Sequence, residues 1–255
     1  MDTNALAQAI ATARKSQVQC DVDWPSPSPD MDAALAIQKK VVEAFGSEIA
    51  GWKVGATNPT AQKNFGLDGP FYGPMAKAGF ADSGAKLKAA PTVLAVEPEY
   101  AFRMARDFPM NGEEVTEENA ALAVEACHVA LEVIGRCVKS DAFQNGIGLT
   151  MDFAGNSAFV IGPAVENWQE QDLVNTPVTG KSNGESVQTG SGADVMGSPL
   201  TSLTWMAKSL ADKGARLKAG DWVSTGTCTP PVPATPETTV SAQFGDLGEV
   251  SVTFE

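Results

Sequence analysis

From Gly51 onward, glycine and proline cut the chain into short apolar runs, most of them too short for a helix and long enough for a strand. The runs are Gly51–Gly55, Phe71–Gly73, Thr92–Phe102, Ala130–Gly135, Ala158–Gly162, Trp222–Gly226, Thr238–Phe244 and Gly248–Phe254. This pattern predicts a strand-rich domain with irregular connections. Two helices are expected to interrupt it. One spans Thr116 to Cys127, with Thr116 as cap and Glu117 and Glu118 in the first turn. The other spans Leu200 to Lys213, with Leu203, Met206, Ala207 and Leu210 facing inward and Gly214 as the stop.

The first 50 residues have a different character. Leu6, Ala9, Ile10 and Ala13 recur at helical spacing. The segment Pro25-Ser-Pro-Ser-Pro29 cannot be helical and reads as a turn or linker. Asp30 or Asp32 can cap a second helix through Phe45, with Ala33, Ala36, Ile37, Lys40, Val41 and Ala44 on one side and Gly46 placed to end it. The expected division is a helical section over 1–50 and a β-rich domain over 51–255.

Composition narrows the function classes. A net charge of −13 repels phosphate backbones, and the scattered Lys and Arg form no patch, so nucleic-acid binding is disfavoured. The acidity suits binding a cation, although most of these carboxylates are expected on solvated surface. Met1-Asp2-Thr3 lacks a basic leader, Gln8 and Thr12 interrupt the alanine-rich stretch behind it, and no apolar run is long enough for a bilayer. A cytoplasmic location, with no membrane partner, is the expectation. Cys20, Cys127, Cys137 and Cys228 form no C-x-x-C pair and are expected as free, buried thiols.

The chemistry concentrates in Val96-Glu97-Pro98-Glu99-Tyr100. On a strand, residues i and i+2 share a face, so Glu97 and Glu99 present two carboxylates side by side. Such a pair repels unless a cation or a proton sits between them. Pro98 lacks an N–H, which suggests an edge or bulged strand. Glu132 lies in the apolar run Ala130–Gly135 and needs a partner if buried. Three carboxylates suit Mg²⁺ or Mn²⁺, with positions left for water and substrate. Read singly, Glu-x-Glu is usually a solvated strand face, and a lone Glu in an apolar run more often pairs with Arg or Lys. Lys53 stands in a short apolar strand between Gly51 and Gly55. It is either an outward strand lysine or a proton-transfer group whose pKa is lowered by a neighbouring metal and low-dielectric walls. His128, the single histidine, directly follows Cys127, so the two do not face each other as a nucleophile pair. The Gly190–Gly197 segment is glycine-rich but lacks a P-loop ending, and reads as a substrate loop or plain turn.

Several segments, in order, carry a resemblance: Ala36-Ile-Gln38, Gly51–Thr57, Gly66-Leu-Asp-Gly-Pro-Phe-Tyr-Gly73, Glu97-Pro-Glu99, Ala130-Leu-Glu-Val-Ile-Gly135, Asp152–Gly162, Gly190–Leu200, Gly220–Thr229 and Phe244-Gly-Asp-Leu-Gly248. Together they resemble the fumarylacetoacetate hydrolase superfamily, more narrowly its branch of 2-keto-4-pentenoate hydratases and 4-oxalocrotonate decarboxylases. The resemblance implies an α+β fold, a mixed β-sandwich or roll, here with a small N-terminal helical section. It implies Mg²⁺ or Mn²⁺ on Glu97, Glu99 and Glu132, Lys53 as the catalytic lysine, a small 2-oxo acid substrate and a homo-oligomer. Thr57, Asp68, Asp152 and Thr227 are candidates for binding substrate; turn and cap hydrogen bonds are their alternative role. Three features depart from the branch. Phe71 stands where hydratases often carry an acidic residue, with Asp68 nearby but shifted. Ser198 replaces the histidine of Gly-His-Pro. The stretch 227–239 is proline-rich and lacks the usual Gly-Asp. The expected activity is hydration of a 2-hydroxy-2,4-dienoate to a 4-hydroxy-2-oxo acid. The rivals are decarboxylation or diketo-acid hydrolysis at the same site, and a non-catalytic 2-oxo-acid-binding homologue, which Phe71 and Ser198 permit.

Overall fold

The computed structural model describes residues 2–255. In chain order the strands are β1 (Ile49–Gly55), β2 (Phe71–Ala76), β3 (Phe80–Asp82), β4 (Ala85–Leu87), β5 (Val93–Met104), β6 (Val124–Gly135) and β7 (Asn156–Ala164). They continue with β8 (Pro177–Ser182), β9 (Glu185–Ser191), β10 (Trp222–Thr227), β11 (Val232–Pro233), β12 (Thr238–Phe244) and β13 (Gly248–Phe254). The helices are α1 (Thr3–Ser16), α2 (Met31–Phe45), α3 (Pro59–Phe65), α4 (Glu117–Leu122), α5 (Gly146–Met151) and α6 (Pro199–Ala211). None of the described helices is long and apolar enough to cross a membrane.

Two sheets form the β-rich part. The larger runs β2-β1-β10-β5-β6-β7-β3, with β11 also paired to β5; the smaller runs β4-β13-β12-β8-β9. Period-two alternation decides what each face carries. In β5, Val96, Tyr100 and Phe102 enter the main core, and in β6 Val129, Leu131 and Val133 do the same. The smaller sheet closes this core with residues such as Val240, Phe244 and Val252, and Tyr100 meets Phe244 edge-on with ring centroids 5.0 Å apart. The intervening residues of β5 and β6, Glu97, Glu99 and Ala101 against Glu132, Ala130 and His128, therefore share the opposite face.

The N-terminal helices cover part of that opposite side. Asp30 caps α2 by accepting the Ala33 N–H, and Gly46 ends it in the left-handed region at φ 71°. Leu6 and Ile10 of α1 and Ile37 and Val41 of α2 form a second core with Phe143 and Phe153 from much later in the chain. The helical section is thus packed into the rest of the chain, and the boundary drawn at residue 50 falls inside β1.

The structure corrects the sequence reading in four places. The helix expected to reach Cys127 stops at Leu122, and β6 begins at Val124, because pairing with β5 along its length overrides helical propensity. The strand holding Pro98 is central, flanked by β6 and β10; its irregularity is a register shift on the β10 side, between Ser224 and Thr227. The polar hairpin β8–β9 was missed, although its Asn183-Gly184 turn, with φ of 50° and 84°, is a readable hairpin signal. The proline-rich stretch near 230 contributes β11. The four cysteines are free, Cys20 being half-buried and the others buried.

Removing the Phe244 ring should open a cavity between the sheets. Phe244→Ala is expected to lose about 3–5 kcal/mol of stability, read as a lower urea midpoint with an unchanged slope.

Candidate active site

Strand register assembles the site. Lys53 of β1 pairs with Ser224 of β10, Ser224 with Ala101 of β5, and Ala101 with His128 of β6. Two residues along β5 stands Glu99, and two further stands Glu97, directly opposite Glu132. One oxygen from each of Glu97, Glu99 and Glu132 lies within 4.8 Å of the others. His128 is turned to the Gly162 carbonyl and the Trp222 ring, while Cys127 lies in the main core, so the adjacent pair does not face itself.

Glu99 and Glu132 are each held from one side. The β10 bulge brings the Gly226 N–H (2.8 Å) and the Ser224 hydroxyl to the same Glu99 oxygen, Oε2. Gly226 adopts φ +110°, and a Cβ there would lie 2.4 Å from Thr57 Cγ2, so the bulge requires glycine. Asn156 Nδ2 donates to Glu132 Oε1 at 2.9 Å. Glu99 Oε1 and Glu132 Oε2 remain buried with no hydrogen-bond partner. Two orphaned buried oxygens, with a Glu97 oxygen converging on them, are a donor set for a hard divalent cation.

Lys53 is buried beside them. Its Nζ lies 3.1 Å from Glu132 Oε2 as an ion pair not aligned for a hydrogen bond. It donates to the Ala154 carbonyl at 3.2 Å and sits 5.7 Å from the centre of the Phe71 ring. With only the protein's own groups around Lys53, burial pulls its pKa down, but Glu132, Glu97 and Glu99 together outweigh burial and hold it above its ordinary range. The same crowding acts on the acids. Burial pushes Glu97 up to about 7 against the pull of Lys53, with Glu132 adding to the rise. Burial and the other two glutamates push Glu99 well above the usual carboxylate range.

The remaining predicted residues separate into two groups. Thr57 and Thr227 line the same cavity as Lys53 and Glu97, a space of about 230 Å³. Thr227 donates to the Thr229 carbonyl, and the Thr57 carbonyl accepts from Met196 of the glycine-rich segment, which is a turn. Asp68 and Asp152 do not join them. Asp68 is exposed in the bend after α3. Asp152 is buried, with one oxygen 3.2 Å from Arg14 of α1 and the other accepting the Cys137 N–H at 2.6 Å. Both of its oxygens are engaged in these contacts. Arg14 also donates to the Asn156 carbonyl and stacks over the Phe153 ring. Together these contacts clamp a turn in which Phe153, Ala154 and Gly155 all have positive φ, of 54°, 52° and 80°. That turn delivers the Ala154 carbonyl to Lys53 and the Asn156 amide to Glu132.

Sequence reasoning missed Ser224, Asn156, Ala154 and Arg136, the last of which also lines the cavity. Only Arg136 carried a signal. It continues the period-two face of Glu132 and Ile134.

Residues 69–255 match the family described as fumarylacetoacetate (FAA) hydrolase C-terminal. The chain belongs to the fumarylacetoacetate hydrolase family. It is 29% identical to the 2-keto-4-pentenoate hydratase of Burkholderia vietnamiensis, over 99% of this chain and 98% of that protein. The 4-oxalocrotonate decarboxylase of Pseudomonas putida is 28% identical, over 83% of this chain and 80% of that protein. Among solved structures, 4-oxalocrotonate decarboxylase from Pseudomonas putida G7, complexed with magnesium and adipate, has a TM-score of 0.89 at 26% identity, covering 99% of this chain and 97% of that one. The α+β fold expected from the resemblance is the fold observed.

Within this family the two single-residue departures have physical roles. Phe71 is buried on the cavity wall, and a Cβ at Gly55 would lie 2.7 Å from its ring, so Gly55 makes room for it. An apolar ring thus stands near Lys53, its centre 5.7 Å from the lysine Nζ. Ser198 caps α6 by accepting the Leu200 N–H at 3.2 Å, with Pro199 opening the helix.

Two outcomes follow for the protein alone. Glu97 titrates at about 7 when folded, against an ordinary value of 4.5, so between those values the folded form holds more protons than the unfolded one. Stability should therefore fall as pH rises from 5 to 8. In chelator-treated protein the melting temperature should drop by several degrees across that window, and Glu97→Gln should flatten the slope. Separately, Asp152→Ala leaves the Arg14 charge buried and unpaired and should cost about 3–5 kcal/mol. Asp68→Ala should stay within about 0.5 kcal/mol. Chemical denaturation of both variants checks the contrast.

Proposed function

We propose that this protein is a divalent-metal-dependent hydratase that adds water to a 2-hydroxy-2,4-dienoate, giving a 4-hydroxy-2-oxo acid. The observation that carries the proposal is the convergence of Glu97, Glu99 and Glu132, two of them with unsatisfied buried oxygens, beside a buried lysine. The relatives support it: one is named as a hydratase of this kind, and a solved one is complexed with magnesium.

The three glutamates would hold Mg²⁺ or Mn²⁺. When bound, such an ion supplies Lewis acidity towards the 2-oxo and carboxylate oxygens of a chelating substrate. Lys53 Nζ, oriented by the Ala154 carbonyl and Glu132, is placed to move a proton to or from the carbon chain. Phe71, Ile134 and Leu149 line the cavity that receives that chain and restrict bulk water. One water adds at carbon 4, and no other co-reactant is consumed. Phe71 favours a second reading, decarboxylation. It removes the acidic group that hydratases often carry there, while leaving the residues that would hold a 2-oxo acid in place.

The test follows the ultraviolet absorbance of 2-hydroxy-2,4-pentadienoate. Decay is expected with Mg²⁺ or Mn²⁺ and not with excess chelator. Glu99→Gln should lose both metal binding and turnover. Lys53→Met should still bind Mn²⁺ by titration but turn over about 10²–10⁴-fold more slowly. Release of CO₂ from a 2-oxo-enedioate, with no hydration of the pentadienoate, would establish the second reading. A folded, metal-loaded protein that transforms neither substrate would sink both.

A further inference from the structure

We propose that the substrate is a dicarboxylate, a 2-oxo acid with a second carboxylate at the far end of its chain, and that Arg136 is the residue that selects it. This rests on the preceding assignment of a 2-oxo acid to the three glutamates. Two cationic side chains line the cavity, Lys53 and Arg136. Lys53 is already paired with Glu132. Arg136 makes no side-chain hydrogen bond or ion pair with any described residue, and its Nε is buried without a partner. A guanidinium desolvated in part and left unmatched is costly in a protein of net charge −13, where carboxylates are plentiful. Its planar fork is the group best matched to a carboxylate by two parallel hydrogen bonds.

The placement sets the length of the ligand. The Arg136 N–H bonds the Thr92 carbonyl at 2.8 Å, so the ladder of β6 extends past Gly135 and Glu132, Ile134 and Arg136 follow one another on one face. Four residues of extended chain separate the Glu132 and Arg136 α-carbons by roughly 13 Å. A chain of about five to seven carbons, at about 1.5 Å per bond, fits within that separation. Between the ends the wall is apolar, from Ile134, Leu94, Leu149 and Phe71. A ligand charged at both ends and hydrocarbon in the middle matches that sequence of surfaces.

The probes are 2-oxoadipate and 2-oxohexanoate, which differ only in a terminal carboxylate versus a methyl group. Their binding to the Mn²⁺-loaded protein is measured by calorimetry, for wild type, Arg136→Gln and Arg136→Lys. Wild type should bind 2-oxoadipate at least about tenfold more tightly. Arg136→Gln should collapse the ratio to within about twofold, and Arg136→Lys should keep part of it, with circular dichroism verifying the fold of each. Equal affinities in wild type, or a preference that survives in Arg136→Gln, would overturn the role of Arg136 while leaving the 2-oxo-acid site standing. Failure of both acids to bind the metal-loaded wild type would overturn the site assignment and this proposal together.

Discussion

Three converging carboxylates, two of them fully buried, share their space with one ammonium group, and the site is organised around that imbalance. Antiparallel pairing sets Glu97 directly across from Glu132, an arrangement that destabilises a sheet when both are charged. It is tolerated because the other face of the same two strands is locked into the main core by Tyr100, Leu131 and their neighbours. The protein's own donors neutralise only part of the charge. Ser224, Gly226 and Asn156 each reach one oxygen, and the oxygens facing inward are left free. What remains is a strong, local demand for a proton or a cation, at a place the backbone cannot relax.

The parts of this arrangement that depend on local pattern were legible in the sequence. Alternation in the run around Glu97 and Glu99 gave their common face, and the apolar neighbours of Glu132 gave its burial. Residues 238–254 gave their two strands to the residue, because β-branched and aromatic side chains sit between clear turn signals there. The parts that depend on tertiary pairing were not legible. Residues 117–127 have helical composition, yet the last four of them enter a strand because a long partner is available. Asp152 looked like a site residue from its motif, and nothing in the sequence shows that Arg14, more than a hundred positions earlier, takes one of its oxygens. Lys53 lies beside the three glutamates, but the direction of its pKa depends on summed distances to these acids, which the sequence does not show.

Phe71 and Arg136 give the cavity a polarity along its length. The inner end is dominated by negative groups and the lysine, the middle is apolar, and the outer end carries an unpaired positive charge. The glutamates and Lys53 form the inner end, and the middle and outer parts come from residues that can change without disturbing them.

The clamp between Arg14 and Asp152 bears on how this fold can change over generations. The ion pair spans the helical section and the turn that positions both Lys53 and Glu132. Losing either partner alone strands a charge in the interior, so the pair can be replaced only by passing through an unstable intermediate or by two substitutions at once. The helical section is therefore not a detachable module grafted onto a catalytic domain. It is tied to the chemistry by an epistatic bond, and the two are inherited together.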